Sequence, residues 1–375
     1  MSEFDAIRPY YDHEVSDVLS RIVASRELAQ AANQLIMPNW LGRGSLGIWL
    51  TRTALRLKTR KLRSVRDCQN MVASLFETVI NRTIDRLSVS GLEHLSPNQH
   101  YLFVSNHRDI LMDSSLLNYL LYEAGHDTCR MAVGDNLLNN TLVADLMRLN
   151  KSFVVERSAA GARAQYRALT RTSRYMQYSL QQGISVWIAQ RQGRAKNGFD
   201  RTDPALLKML LLAYRDKGAS QSPLARLLAL TPIVPVSVSY ELDPCAVSKA
   251  HELAVIDQRG EYVKAPDEDL NSMVQGLMGP KGRVRLAFGA PITAASSLED
   301  LTDQLDQAIV ANTRIYATHR YARAVGEGLD TQDLLNNPKV KVLAGELESM
   351  SVAERPYLLQ QYANIWRNRQ ELGLG

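Results

Sequence analysis

Cysteine is scarce in this chain of 375 residues, which has only three: Cys68, Cys129 and Cys245. They lie far apart, are odd in number and have no close metal-ligand spacing, so neither a disulfide framework nor a metal site is expected. No run approaches the roughly 18 uninterrupted apolar residues of a membrane-spanning helix. The longest apolar stretch, around Leu206 to Ala213, is short and contains Lys208. The opening MSEFDAIRPYYDHEV carries acids and tyrosines where a secretory leader has a basic start and an apolar core, which predicts a cytoplasmic protein. Internal repeats, low-complexity tracts and a glycine-rich phosphate loop are all missing, which sets aside solenoids and the common nucleotide-binding loops.

What is present is the composition of a folded protein, 45% hydrophobic and 22% charged. The length suits one elaborated domain or two smaller ones. The net charge of +5 is unevenly spread: from Arg43 to Arg66 there are eight Lys or Arg and no Asp or Glu. Such a segment favours an anionic partner, lipid or nucleic acid. In it Trp40, Leu41, Leu46, Ile48, Trp49, Leu50, Leu55 and Leu57 alternate with Arg43, Arg52, Arg56, Lys58, Arg60, Lys61 and Arg63. Apolar and aromatic groups beside a basic face are what an interfacial helix presents to anionic lipid, although a helix packed on its own core is also amphipathic.

Residues 1 to about 35 read as helix, from Val15, Val18, Leu19, Ile22, Val23 and Leu28, with Pro38 as the interruption. From about residue 86 the pattern changes. LSVSGLEHL and HYLFVSN read as strands and RDILMDSSLLNYLLYEAG as a helix ended by Gly125. Further strands are expected at Cys129 to Val133, Ser152 to Val155, Gly183 to Ala189, Pro232 to Tyr240 and Arg283 to Phe288, with helices at Leu138 to Leu149, Ala162 to Gln182 and Ala205 to Ala213. Strands alternating with helices predict an α/β fold, a sheet covered on its faces. Beyond Ile292, Leu298 to Arg323 and Thr331 to Arg369 read as helices, broken near Pro338 and Pro356.

Four stretches carry candidate chemistry. In FVSNHRDILMDSSLL an apolar strand breaks into Asn106, His107 and Arg108 and resumes with Asp109 and Asp113. An imidazole beside a carboxylate takes a proton at neutral pH, with the carboxylate fixing its tautomer. On a regular helix Asp109 lies roughly 200° and Asp113 roughly 240° from His107, so neither shares its face, a restriction that a His in the preceding loop escapes. SFVVERS delivers Arg157 from a short strand. ISVWIAQRQGRAK leaves an apolar strand into Arg191, Gln192, Gly193, Arg194 and Lys196, cations around a glycine that suit a phosphate. In TPIVPVSVSY, Pro232 and Pro235 predict an edge strand or a bulge, with an apolar wall about Pro235 to shape a pocket.

In this order and at these separations the four stretches resemble the glycerolipid acyltransferase family, which includes glycerol-3-phosphate and 1-acylglycerol-3-phosphate acyltransferases. NHRDILMD resembles that family's first motif with five residues, rather than four, between His107 and Asp113. FVVER matches the second at Arg157. WIAQRQGRAK keeps Gly193 and Arg194 of the third but has Arg191 or Gln192 where a Glu is expected, and IVPV matches the fourth. The resemblance covers about Leu87 to Pro291. It implies a mixed, largely parallel sheet flanked by helices over residues 86–292, with helical extensions at 1–85 and 293–375. It also implies acyl transfer from acyl-CoA or acyl-carrier protein, without a further cofactor, to the hydroxyl of a (lyso)glycerophospholipid, with glycerol-3-phosphate or another lipid alcohol as alternative acceptors. His107 would be the base and Asp113, or Asp109, its partner. Arg157, Arg194 and Lys196 would bind the acceptor's phosphate, with Asn106, Arg108, Arg191, Gln192, Gly193 and Pro235 also about the substrate. Such an enzyme would dock on the inner face of the cytoplasmic membrane, and nucleic acid is not expected as a partner.

Overall fold

The computed structural model describes residues 3–25, 45–138, 140–216, 218–265 and 267–374, with only the backbone at 45 and 46. In chain order the elements are α1 (Val15–Ala24), α2 (Ser45–Thr59), α3 (Val65–Thr83), β1 (Ile84–Ser90), β2 (Leu102–Ser105), α4 (Met112–Glu123), β3 (Arg130–Gly134), α5 (Thr141–Leu149), β4 (Ser152–Val155), α6 (Ala162–Gln181) and β5 (Val186–Ala189). They continue with α7 (Pro204–Leu210), α8 (Pro223–Leu230), β6 (Ile233–Tyr240), α9 (Ala246–Arg259), α10 (Glu268–Met278), β7 (Gly282–Phe288), α11 (Leu298–Asn312), α12 (Ala317–Glu327), α13 (Pro338–Ser349) and α14 (Arg355–Glu371). The chain forms two compact units, Met1–Phe76 with Arg130–Tyr175, and Glu77–Cys129 with Met176–Gly375.

In the first unit α1 turns its stripe of Val15, Val18, Leu19 and Ile22 onto Val65, Cys68 and Leu149. This helix is shorter than its sequence pattern suggests. The residues before it form turns in which Arg8 bridges Asp5 (2.9 Å) and Glu14 (2.6 Å); the rest of the expected helix, with Leu28, lies outside the described residues, as do Trp40, Leu41 and Arg43 of the basic segment. Helix α2 leaves Trp49 60% and Leu57 64% exposed beside Arg52, Arg56 and Lys58. Strands β3 and β4 pair in parallel, and α5 between them is capped by Asn140, whose side-chain oxygen accepts from the N–H groups of Leu142 and Val143.

The second unit holds five strands in the order β1-β7-β6-β2-β5, parallel except for β6 against β7. Strands β2 and β6 are buried along their whole length, which accounts for their unbroken apolar runs. Burying Phe103, Leu102 or Val234 contributes about 1.5–3 kcal/mol each. The mixed sheet agrees with the expected fold class. The C-terminal helices α12 to α14 close over α9 through Ala250, Tyr321, Leu343 and Leu358.

Three expectations are corrected. Strand β6 is central, not an edge, despite Pro235. The Pro235 carbonyl accepts from the Gly289 N–H (2.8 Å) on the β7 side, so its ring nitrogen faces the same way, just past the last ladder pair of Val236 with Phe288. One more residue separates Phe288 from Ile292 than separates Ile233 from Val236, so the strain falls on a bulge in the partner strand and no ladder bond is lost. Secondly, Arg108–Leu111 is a turn, and α4 starts only at Met112. Thirdly, Leu298 to Arg323 is two helices parted at 313–316, where the Thr313 hydroxyl bonds back to Ile309 and the Arg314 N–H leaves for Ser239.

Gly91 closes β1 at φ +79°, and a Cβ there would lie 1.9 Å from the Phe288 carbonyl oxygen. Left-handed backbone costs an L-residue about 1–2 kcal/mol and overpacking about 1–3 kcal/mol. Gly91→Ala is therefore expected to lower stability by about 2–4 kcal/mol in urea unfolding. A midpoint that does not move would refute this close approach of the β1 turn to β7.

Candidate active site

Strand β2 ends at Ser105, in register with Ala189 of β5 and Val236 of β6. Asn106 then extends the sheet by its side chain. Its Oδ1 accepts from the Val238 N–H (2.7 Å), while Nδ2 donates to the Val238 carbonyl (3.1 Å) and to Asp200 Oδ2 (3.3 Å). Because this amide occupies both backbone groups of Val238, the main chain is released from the sheet and turns. The turn delivers His107 outside the carboxyl end of the strand, where α/β sheets place their ligands.

Asp113, in the first turn of α4, is fully buried. Its Oδ2 accepts from His107 Nδ1 (2.8 Å) and from the backbone N–H groups of Arg108 (2.6 Å) and Asp109 (2.9 Å). Its Oδ1 accepts from the Tyr240 hydroxyl (2.8 Å). Burial pushes this carboxyl up, but the hydrogen bond and charge of His107, with the Asp109 N–H and Tyr240, outweigh burial and hold it below the usual carboxylate range. Burial first, then the charge of Asp113, pushes the Tyr240 hydroxyl well above its ordinary value, so it stays a donor. An ionised carboxylate only accepts, so the imidazole proton sits on Nδ1. Nε2 then carries the lone pair, and no described residue bonds to it. The Trp187 ring meets the imidazole edge-on at 5.9 Å and donates its own N–H to Ser105 Oγ (2.9 Å), which fixes the third side of the His.

Asp109 has the opposite environment. Its Oδ1 accepts from the N–H groups of Leu111 and Met112 and starts α4, while Oδ2 is buried without a partner at the place where a Cβ on Gly276 would stand, 2.0 Å away. Burial, helped by the charge of Asp113, pushes its carboxyl up. Two acids four residues apart are thus driven in opposite directions, and it is the ionised one, Asp113, that holds His107.

The side chains that fix this turn come from distant parts of the chain. Lys249, almost fully buried, donates to the Arg108 carbonyl (2.6 Å) and to Asp243. Arg108 itself donates to Asp200 (2.5 Å) and to the carbonyls of Ala195 (3.3 Å) and Gly198 (3.4 Å), so its fork is taken up by the protein. The His107 carbonyl accepts from the Ala195 N–H (2.8 Å). The third stretch is therefore sewn to the first. It is also seated on α14, where Asn364 and Asn368 donate to the carbonyls of Asn197 (2.8 Å) and Gly198 (3.1 Å).

Within that stretch Gly193 is exposed at φ +73° with open space around it, so it is the backbone turn rather than a close neighbour that favours glycine. Gln192 is exposed and Arg191 half-buried. Arg194 keeps a buried Nη1 with no partner, and Lys196 is paired with Glu252. Pro235 is buried in β6. Arg157 belongs to the first unit, where it follows β4 and its N–H donates to Asp135 (2.9 Å). Burial lowers the pKa of its guanidinium, and Asp135 opposes that shift. Residues that sequence reasoning missed are Tyr240, Lys249, Asp200 and Gln190. Gln190 is fully buried with both side-chain amide atoms unpartnered. Its only sequence signal is a polar residue directly after an apolar strand.

The site is thus a buried Asp–His pair at the carboxyl end of a mixed sheet, with cations on the adjoining loop. Residues 86–239 match the family model described as Acyltransferase. None of the curated proteins matches it. Among solved structures, the 1-acyl-sn-glycerophosphate (LPA) acyltransferase PlsC from Thermotoga maritima aligns with 76% of this chain and 95% of its own at 16% identity, with a TM-score of 0.39.

The two acids give opposite pH signatures. A carboxyl whose pKa is lowered on folding adds stability above its unfolded value, near 4, and loses it as pH falls through the folded value; a raised one adds stability at low pH and loses it as pH rises. Asp113→Asn should therefore cost more at pH 7 than at pH 4, and Asp109→Asn should gain on the wild type over the same rise. Urea unfolding of both variants at the two pH values checks this, and equal differences at both would contradict the assignment.

Proposed function

We propose that the chain transfers a fatty acyl group from acyl-CoA or acyl-carrier protein to the hydroxyl of a lysoglycerophospholipid such as 1-acylglycerol-3-phosphate. The observation that carries the reading is His107 held through Nδ1 by a buried, ionised Asp113, with Nε2 unoccupied. Nε2 takes the acceptor's hydroxyl proton as the oxygen attacks the thioester carbonyl. The tetrahedral intermediate expels the thiolate, and the imidazolium returns the proton to sulfur, leaving an ester and a free thiol. Asp113 keeps the tautomer and stabilises the imidazolium without itself taking the proton. General-base help of this kind contributes roughly 10²–10⁴-fold.

Arg191 and Arg194 of the second unit are the candidates for the acceptor's phosphate, and for Arg157 of the first unit that role rests on the family resemblance alone. The unpartnered Nη1 of Arg194 supports its place among them, and planar guanidinium forks suit phosphate oxygens. Lys196 brings less charge, because Glu252 already shares it. Gln192, in place of the family's Glu, offers a neutral amide to a hydroxyl. A lysophospholipid prefers the bilayer by about 0.8 kcal/mol for each buried CH₂. No helix among the described residues is long and apolar enough to cross a membrane. The exposed Trp49 and Leu57 beside the cations of α2 favour docking on an anionic surface, the inner face of the cytoplasmic membrane.

The test is thiol release from acyl-CoA over a panel of acceptors, including 1-acylglycerol-3-phosphate and glycerol-3-phosphate. The wild type is expected to work best with the lysolipid, and His107→Ala to lose about 10²-fold or more. If His107→Ala released thiol at the wild-type rate, the mechanism would be wrong.

A further inference from the structure

The C-terminal part of the second unit builds a basic feature that the His107 site does not use. Two adjoining depressions, about 400 Å³ and about 280 Å³, share Arg285 and Arg314. The larger adds Arg320 and Arg369, the smaller Arg86 and Arg283. The parallel register of β1 with β7 sets Arg86 beside Arg283 and Ser88 beside Arg285, so the period of two puts both β7 arginines on one face. Arg314, between α11 and α12, is drawn to that face because its N–H donates to Ser239 (2.9 Å), the residue opposite Arg285 in β6. Ser239 and Tyr240 are consecutive, so their side chains leave opposite faces. The arginine groove and the His107–Asp113 pair therefore flank one end of the same sheet.

Of the arginines lining the groove only Arg283 has a carboxylate partner among the described residues, Glu241 (2.7 Å). Arg285 donates to Ser90 Oγ (2.8 Å) and Arg369 to the Ala311 carbonyl (3.4 Å), both neutral. Arg86, Arg314 and Arg320 pair with no acid. Like charges gathered without counter-charges repel one another and focus a positive potential into a concave surface, which an anion relieves. Guanidinium forks select phosphate among anions.

We propose that this groove binds the phosphates at the nucleotide end of a CoA donor. The inference rests on the acyl-transfer reading and deepens it by naming the donor. A lysophospholipid acceptor of the kind proposed above brings one phosphate, whereas CoA carries a pyrophosphate and a separate ribose phosphate, which suits two arginine-lined lobes. A bilayer is a poorer match, because no large apolar side chain is exposed in the lining; such side chains sit on α2 instead.

The test is calorimetric titration of the full chain with CoA and with adenosine 3′,5′-bisphosphate, comparing wild type with the Arg314→Ala, Arg320→Ala double variant. Both side chains are exposed, so the variant should melt like the wild type. The expected result is that the two ligands compete, that salt weakens both, and that the double variant weakens both by at least about tenfold, the loss of one or two charged hydrogen bonds. Arg314→Gln alone gives the same reading, with a smaller loss, if the double variant is unstable. Unchanged CoA affinity in the variants would overturn the proposal. So would a variant that loses only its binding to phosphatidylglycerol vesicles or to an acidic carrier protein. Because the readout is binding, either failure leaves the His107 chemistry standing.

Discussion

The Asp113 carboxylate sits fully buried in the first turn of α4 with four donors around it: an imidazole, two backbone N–H groups and a phenol. A buried charge is costly unless its lone pairs are filled, and here filling them shapes the site. The two N–H groups force residues 108–111 into a turn wrapped on the carboxylate. The imidazole is held in one tautomer, and Tyr240 fastens the helix to the end of β6. Removing the charge would release the turn, the His and the Tyr240 tether together, because all three close on the same two oxygens.

Around this centre the support comes from parts of the chain far away in sequence. Lys249 on α9 holds the Arg108 carbonyl, Asp200 holds the Arg108 fork, and α14 carries the loop that accepts and donates around Ala195 and Gly198. A Cβ on Gly198 would fall 2.1 Å from the Gln361 carbonyl oxygen, so the loop lies directly on that helix. The C-terminal helices are thus part of how the His107 turn and the loop beside it are held, although residues 86–239 alone carry the family match.

Much of the fold was legible because its signals are local. Unbroken apolar runs marked β2 and β6, the 3.6 period marked α1 and α6, and FVSNHRDILMD marked the turn where His107 meets Asp113. What sequence could not choose was Asp109 or Asp113. The helical-wheel argument assumed a helix from Arg108, whereas α4 starts at Met112, and in a turn a spacing of six residues brings the two side chains together. The choice was made by burial and by Gly276 against Asp109, neither of which leaves a trace in the local pattern. Tyr240 and Lys249 escaped for a related reason: their partners lie 127 and 141 residues away. Pro235 misled because an internal proline normally marks an edge, and only the register of β6 with its bulged partner shows that no ladder bond is lost.

The account turns on which ring nitrogen of His107 carries the proton, since a base at Nε2 requires the proton on Nδ1. Long-range ¹H–¹⁵N correlation spectra of the neutral His107 ring in the wild-type protein report this directly. The account predicts the Nδ1–H tautomer, with Nε2 bare. A ring protonated at Nε2 would contradict both the Asp113 hydrogen bond and the base it orients.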